Sequence, residues 1–385
     1  MELDFSSEQE ELRDGVKSFL TRECPMSFVR SVVEAGRADG GAAAAAITAG
    51  LWSQMVELGW PALTVPESAG GLGFGAVELA LVAEELGIAC APGPLLPTSS
   101  QFVPAVLQAG SAEQIDRFLG PVAEGTSTGT LAVSEAIGNF TVAGVTTTAT
   151  PQGDGWVLHG EKHFVVGAPS ADEIVVIARE PNSEGDSGVI GIVVPAADCE
   201  ITAIDGLDAS REIGTVTLNG VHVSADRALG SPGPDTAAAL TRAINEATTM
   251  LATEMVGTAQ TVFDVILDYA KQREQFGVPI GSFQAIKHKF ADFLLLLERA
   301  RATCYFAALT IAEDDERRAV AASMAKVAAG DLQRYACKEG IQVLGGIGYT
   351  WEHDMHLYVR RLKTGAALFG TTSTHKARVA DLIGV

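Results

Sequence analysis

The chain has 385 residues, is 47% hydrophobic and carries a formal net charge of −21, with a mean hydropathy of +0.21. That length supports two or three domains with buried cores, and the alanine- and aliphatic-rich composition is that of a helical enzyme. The acidic balance excludes nucleic acid or an anionic membrane as partner, because binding phosphate requires clustered Lys and Arg.

The start Met1-Glu2-Leu3-Asp4 is acidic, unlike a signal peptide. Apolar runs such as Phe293 to Leu297 fall far short of the roughly 20 residues a membrane span needs. Five scattered cysteines (Cys24, Cys90, Cys199, Cys304, Cys337) form no C-x-x-C pair, so reduced thiols and no metal site are expected. The expected location is cytoplasmic.

The first ~120 residues read as helices. Ser7-Glu8-Gln9-Glu10 has the form of a capping box ahead of Leu12, Val16, Phe19 and Leu20. Gly40 to Ala46 is a loop or a helix start. Trp52 to Leu58 is helical, and Trp60-Pro61 ends it. Gly71-Leu72-Gly73-Phe74-Gly75-Ala76 matches the G-x-G-x-x-A dinucleotide pattern. It lacks a preceding strand and a βαβ context, so it reads as a turn feeding the helix Ala76 to Leu86.

From about Gly129 to Arg227, short runs alternate with Gly, Pro, Asn and Asp turns: Val145 to Ala149, Gly155 to His159, Glu173 to Ala178, Val189 to Val194, Gly214 to Leu218 and Val221 to Val223. They predict a compact antiparallel β domain, with Thr146 and Thr148 on one face. After Pro232-Gly233-Pro234 helical periodicity resumes and runs for about 35 residues, from Ala237 to Arg273. Gly277 to Gly281 breaks it, and Ser282 can cap a helix reaching about Ile311. A last long helix from Arg317 ends on Gly345-Gly346, and Gly370-Thr371 opens a further one. Paired glycines at a helix end allow close backbone approach, and free N–H groups at the next helix start favour anions. The expected class is α+β: an N-terminal helical domain (1–124), a middle β domain (125–229) and a C-terminal four-helix bundle (230–385).

Three blocks in this order resemble the acyl-CoA dehydrogenase family over nearly the whole chain: Val65-Pro66-Glu67…Gly70-Gly71-Leu72-Gly73, Arg273-Glu274-Gln275-Phe276-Gly277…Phe283-Gln284, and Gln342-Val343-Leu344-Gly345-Gly346-Ile347-Gly348-Tyr349. The resemblance implies an FAD enzyme that oxidises acyl-CoA thioesters to enoyl-CoA and passes electrons to an electron-transfer flavoprotein. It implies that Arg273 pairs with the FAD diphosphate, with Gln275 in the same loop. Phe276, Gln284, Gln342, Gly345 and Gly346 would line the adenosine side of a neighbouring subunit's FAD, and Thr371 would lie near the diphosphate. Without the cofactor, Arg273 could instead pair with Glu274 or Asp268.

The flavin-ring end departs from the family pattern. The Thr-Glu-Pro-x-x-Gly-Ser-Asp loop is replaced by Val133-Ser134-Glu135-Ala136-Ile137-Gly138-Asn139-Phe140, and Trp-x-Thr by Phe164-Val165-Val166. Ser134 keeps a hydroxyl and Phe164 an aromatic face, whereas Val166 offers no side-chain hydrogen bond. Phe369 occupies the position of the usual catalytic Glu, and phenylalanine cannot accept the α-proton. An alternative family position, about 26 residues before Arg273, is Ala247. Glu246 is adjacent, but one helical residue is ~100° of rotation.

The pattern points to one subunit of an α2β2 heterotetramer whose partner, a second acyl-CoA dehydrogenase subunit, supplies the base. Such assemblies resemble actinobacterial enzymes acting on CoA thioesters of sterol side chains and other bulky acids. The alternatives are a homotetramer using Glu246, a flavin-dependent monooxygenase on the same fold, and a non-catalytic scaffold subunit.

Overall fold

The structure, a computed structural model, describes residues 5–39, 42–135 and 138–385; Met1 to Asp4, Gly40, Gly41, Ala136 and Ile137 lie outside the described residues. The N-terminal helices are α1 (Ser7–Glu23), α2 (Met26–Asp39), α3 (Ala42–Glu57) and α4 (Ala76–Ala89). After them come α5 (Leu95–Pro97), a π-helical turn (Thr98–Phe102), α6 (Val103–Ala109) and α7 (Ala112–Ala123). The strands are β1 (Gly129–Ala132), β2 (Thr148–Gln152), β3 (Gly155–Val166), β4 (Glu173–Arg179), β5 (Val189–Pro195), β6 (Glu200–Ala203), β7 (Ile213–Ser224) and β8 (Ala228–Leu229). The C-terminal part holds α8 (Pro234–Gln272), the hairpin β9 (Glu274–Gln275) and β10 (Val278–Pro279), α9 (Gln284–Ala312), α10 (Arg318–Leu344), α11 (Met355–Ala367) and α12 (Thr372–Leu382).

Local signals are displaced by a residue or two from the sequence reading. The capping box of α1 is Ser6 with Gln9, not Ser7 with Glu10. Ser282 does not cap α9. Its hydroxyl donates to the Pro279 carbonyl, and Phe283 takes the cap position without a side-chain bond. Gly71 to Ala76 is the expected turn, with the Gly71, Leu72 and Gly73 amides donating to carbonyls of Pro66, Ala62 and Val65. The Glu78 carboxylate accepts the Gly75 amide at the start of α4 (2.9 Å).

By internal contacts the chain forms two compact units. One comprises Ser31–Leu79 and Pro92–Ala247, the other Met1–Arg30, Ala80–Ala91 and Thr248–Val385. The first contains an eight-stranded sheet ordered β6-β7-β3-β2-β4-β5-β8, with β1 beside β4. β4 and β5 are buried on both faces, as their unbroken aliphatic runs require. Leu158, Ile174, Val176, Ile190, Ile192 and Val216 form the centre of its core. The sheet is not purely antiparallel: β1 runs parallel to β4, with Thr130 opposite Ile174. Parallel neighbours need a crossover connection, which β2 and β3 supply. Thr146 does not lie on a strand, because β2 starts only at Thr148. The two predicted runs at Gly214 and Val221 are one strand, β7, paired with β3 through two register shifts.

In the second unit α4 and α8 approach so closely that backbone meets backbone. A Cβ on Gly87 would lie 2.0 Å from the Glu254 carbonyl oxygen, and one on Gly257 equally close to that of Glu84. Thr258 and Thr261 hydroxyls donate to the Gly87 and Ile88 carbonyls (3.0 and 2.8 Å). Buried Glu84 accepts from Arg301 Nε (2.8 Å) and Tyr305 Oη (2.7 Å) on α9. Among the described helices α8 is the one long and apolar enough to cross a membrane, yet 72% of its most apolar 18 residues are buried inside the protein.

Candidate functional site

Arg273 leads from α8 into the β9–β10 hairpin. Gln275 pairs with Val278, so Phe276 and Gly277 are the two loop residues, at φ of 54° and 79°. Both being left-handed is the backbone a two-residue type I′ hairpin demands. The geometry projects Phe276 into solvent, 93% exposed, edge-on to Phe283 at 6.2 Å. Asp268 is taken by Lys271 (3.3 Å), and the exposed Arg273 guanidinium has no hydrogen bond or ion pair among the described residues. Gln275 Nε2 donates to the Glu274 carbonyl (2.8 Å). An unpaired, pre-formed guanidinium fork suits a diphosphate.

Gln284 is exposed at the start of α9, and Gln342 near the end of α10. Tyr335 Oη donates to the Lys289 carbonyl (3.1 Å) and Lys289 pairs with Glu339, which brings these two helix ends together. Gly345 ends α10 at φ 64°, and a Cβ on it or on Gly346 would meet nothing within 4 Å. The chain's own packing leaves that backbone open to a ligand. Thr371 is the N-cap of α12, its hydroxyl accepting the Thr374 amide (3.3 Å). The N–H groups of that first turn are those that favour an anion.

Ser134 and Phe164 lie where β1 and β3 end side by side. Ser134 is buried, its carbonyl accepts the His163 amide (2.8 Å), and its hydroxyl is turned to the Glu135 carbonyl (3.3 Å). Phe164 sits at a bulge in β3, at φ 57°, with 41% of its surface exposed. Val166 is buried, and its carbonyl accepts the Thr130 hydroxyl (2.6 Å).

Sequence reasoning missed the group that holds this end together. Glu135 Oε1 accepts from Lys162 Nζ (2.9 Å) and from the Thr147 amide and hydroxyl (2.8 Å each), while Oε2 accepts the Thr146 hydroxyl (2.5 Å). Lys162 is fully buried and also donates to the Val133 carbonyl (3.2 Å). Burial would raise the Glu135 pKa, but the Lys162 charge and these hydrogen bonds outweigh it and hold the carboxyl at about 2. Desolvation pulls Lys162 down to about 8 despite Glu135. A pocket of about 330 Å³ opens here, lined by Val133, Glu135, Asn139, Thr146, Glu161 and His163. No local signal marked the pair, since the strand read from the sequence ends at His159 and Lys162 lies beyond it.

Phe369 is 6% exposed at φ 54° and precedes Gly370 at φ 101°. Six non-glycine residues among those described have positive φ, and three are Phe164, Phe276 and Phe369. A bulky side chain in that region costs roughly 1–3 kcal/mol and persists where the surroundings impose it, commonly at functional sites. Each lies at a candidate cofactor or base position. Glu246 is half-buried and accepts from Gln108 Nε2 (3.0 Å), whose Oε1 accepts Arg242 Nε (2.9 Å). Ala247 and Thr248 are buried. Glu254 is buried and pairs with Arg361 (3.4 Å). Among the described residues no cluster of three His, Cys, Asp or Glu could hold a metal.

Three family models match in order: acyl-CoA dehydrogenase N-terminal domain over residues 6–126, middle domain over 130–223 and C-terminal domain over 237–384. The chain is 31% identical over 335 residues to human mitochondrial short-chain specific acyl-CoA dehydrogenase, covering 85% of this chain and 80% of that protein. The chain belongs to the acyl-CoA dehydrogenase family. Among solved structures, butyryl-CoA dehydrogenase from Megasphaera elsdenii superposes with a TM-score of 0.89 at 24% identity over the whole of both chains. A chain of the ChsE4-ChsE5 complex from Mycobacterium tuberculosis does so with a TM-score of 0.87 at 25% identity, again over both whole chains. This acyl-CoA dehydrogenase is an oxidoreductase acting on the CH–CH bond of acyl-CoA, and its cofactor is FAD. The unpaired Arg273, the projecting Phe276 ring, the open Gly345-Gly346 backbone and the α12 N-terminus fit the adenosine-diphosphate part of that cofactor.

Proposed function

We propose that this chain is one subunit of a heteromeric α2β2 acyl-CoA dehydrogenase, in which it holds the adenosine-diphosphate half of an FAD. The second kind of subunit supplies the flavin-ring pocket and the catalytic carboxylate. The observation that carries this reading is a split: Arg273 is unpaired among the described residues and the Gly345-Gly346 backbone is open, while position 369 carries a phenyl ring. The likeness to a chain of the ChsE4-ChsE5 complex supports an assembly of two different subunits.

A bound FAD would supply a hydride acceptor for the β-hydrogen, and the α-proton would go to a carboxylate. In this chain Arg273 would hold the diphosphate by charge and hydrogen bonds, and Phe276 would offer its ring to the adenine. Thr371 fixes the helix start whose amides face the same negative charge. At this chain's own flavin-side positions Ser134 and Phe164 remain, but Val166 offers no side-chain donor, so the flavin ring is left to the partner's pocket. The base is a Glu on the partner, because Phe369 has no proton acceptor and Glu246 is engaged by Gln108. The substrate is the CoA thioester of a bulky acid such as a sterol side chain, a reading supported by the likeness to the ChsE4-ChsE5 complex. The electron acceptor is an electron-transfer flavoprotein, and the enzyme works in the cytoplasm.

The test is to purify the chain alone and together with an acyl-CoA dehydrogenase subunit from an adjacent gene that has Glu at the position of Phe369. Flavin content and acyl-CoA oxidation are measured for each. The expected result is little flavin and no turnover from the lone chain, and both from the pair. Stoichiometric FAD with full turnover by the lone chain overturns the reading.

A further inference from the structure

The turn between α11 and α12 is held by more groups than a plain connection needs. Three carbonyls around residue 369 each receive a buried side-chain donor. Lys326 Nζ, reaching over from α10, bonds the carbonyls of Gly365 (2.8 Å) and Gly370 (3.0 Å). His375 Nε2, on α12, bonds that of Phe369 (2.8 Å). Lys326 is 1% exposed and His375 2%. Taking an ammonium out of water costs several kcal/mol, which helix-terminal carbonyls recover only in part. Packing limits the turn further. A Cβ on Gly370 would lie 3.0 Å from His375 Nε2, and one on Gly330 would lie 2.1 Å from Thr372 Oγ1, so α10 runs directly against the start of α12. Two consecutive residues with positive φ complete the constraint.

A side chain that only fills space needs no such fixing, since an apolar group tolerates small shifts. A proton acceptor needs it, because transfer depends on reach and aim. We propose that Lys326 and His375 are positioning residues that hold side chain 369 in one fixed aim, so that the turn is a complete mount for a carboxylate and lacks only the carboxylate. This rests on the reading that residue 369 stands at the base position. In Phe369→Glu the carboxylate takes the α-proton of a bound acyl-CoA and becomes a carboxylic acid, leaving the substrate as its enolate. Without hydride transfer the proton returns, so in D2O the α-position gains deuterium and no redox partner is needed. Phe369 already adopts the required backbone conformation, so the substitution adds no new strain there.

The experiment compares the full-length wild type, F369E, F369E/K326M, F369E/H375A and F369E/H375Q. Butyryl-CoA and octanoyl-CoA are the probes, and α-deuterium incorporation is followed by NMR across pH with a thermal melt of each protein. F369E should exchange the α-proton where wild type does not. Loss of an anchor should slow this by up to about 100-fold, as a displacement near 1 Å does. In F369E/K326M the acid limb of the pH profile should also move to higher pH, because the ammonium that favours the charged carboxylate is gone. H375Q should retain exchange that H375A loses, since the Gln amide can still donate to the 369 carbonyl. This pair decides the matter even if K326M does not fold. If F369E exchanges but both anchor variants melt normally and match it in rate and pH profile, the positioning role is overturned and position 369 stands. If F369E melts normally and exchanges neither probe, while the heteromeric pair turns them over, the assignment of position 369 fails and the mount fails with it.

Discussion

Replacing Glu135 by Gln should destabilise the protein more than replacing Lys162 by Met, although both break the same ion pair. In E135Q the Lys162 ammonium stays fully buried, facing the Val133 carbonyl and a neutral amide. An uncompensated buried charge costs roughly 3–5 kcal/mol. In K162M the carboxylate keeps its bonds from Thr146 and Thr147, and its side chain is 15% exposed, so water reaches it. About 1–3 kcal/mol is then expected, the range for losing one hydrogen bond to a charged group. The double variant should be less destabilised than the sum of the two by more than about 1 kcal/mol, because its second change removes the orphan left by the first. Urea denaturation followed by circular dichroism measures all three. The pH dependence gives an independent check. Glu135 falls from an ordinary 4.5 to about 2, so its contribution is complete above 4.5 and lost as pH drops toward 2. E135Q should lack that acid limb. Finding K162M as damaging as E135Q, or strict additivity in the double variant, would refute the reasoning.

Arg273→Ala should leave urea stability within about 0.5 kcal/mol, since the side chain is exposed and unpaired. It should weaken FAD binding by the assembled enzyme roughly 10–100-fold, the worth of charge-assisted bonds to a diphosphate, as read by flavin titration. Glu84→Gln should cost about 1–3 kcal/mol, because Arg301 loses one charged partner but keeps Glu298 and Gln260, and Tyr305→Phe only about 1 kcal/mol, both measured in urea. Two buried groups should shape the pH profile in opposite senses. Burial and neighbouring Glu84 raise Glu85 to about 7, so it stabilises the fold at low pH and ceases to as pH rises from 4.5 through 7. Burial lowers His375 to about 4, so the fold loses stability as pH falls from 6.5 toward 4. E85Q should therefore gain up to about 3 kcal/mol on wild type between pH 4.5 and 8, and H375Q should gain as much between pH 7 and 4. Denaturation series at those pH values check both.

The order of helices, strands and helices is written in the sequence, because hydrophobic period is local and changes at Gly129 and again after Pro234. The sequence also shows the apolar runs that become β4 and β5, the glycine ending of α10 and the absence of a proton acceptor at position 369. Those features depend on residue type or on neighbours within a turn. What the tertiary structure decided involves partners far apart in the chain. Thr146 leaves the strand because Glu135, 11 residues away, accepts its amide, and Lys162, 27 residues from Glu135, neutralises that carboxylate. Lys326 reaches a carbonyl 44 residues on, and Arg273 remains unpaired although acidic residues stand near it in sequence. Periodicity cannot report such pairings, since a lysine in a helix or strand reads as solvated until packing excludes water from it. The glycine, arginine and aromatic motifs were therefore legible as local patterns, and the devices that fix the Glu135–Lys162 pair and the Phe369 turn were not.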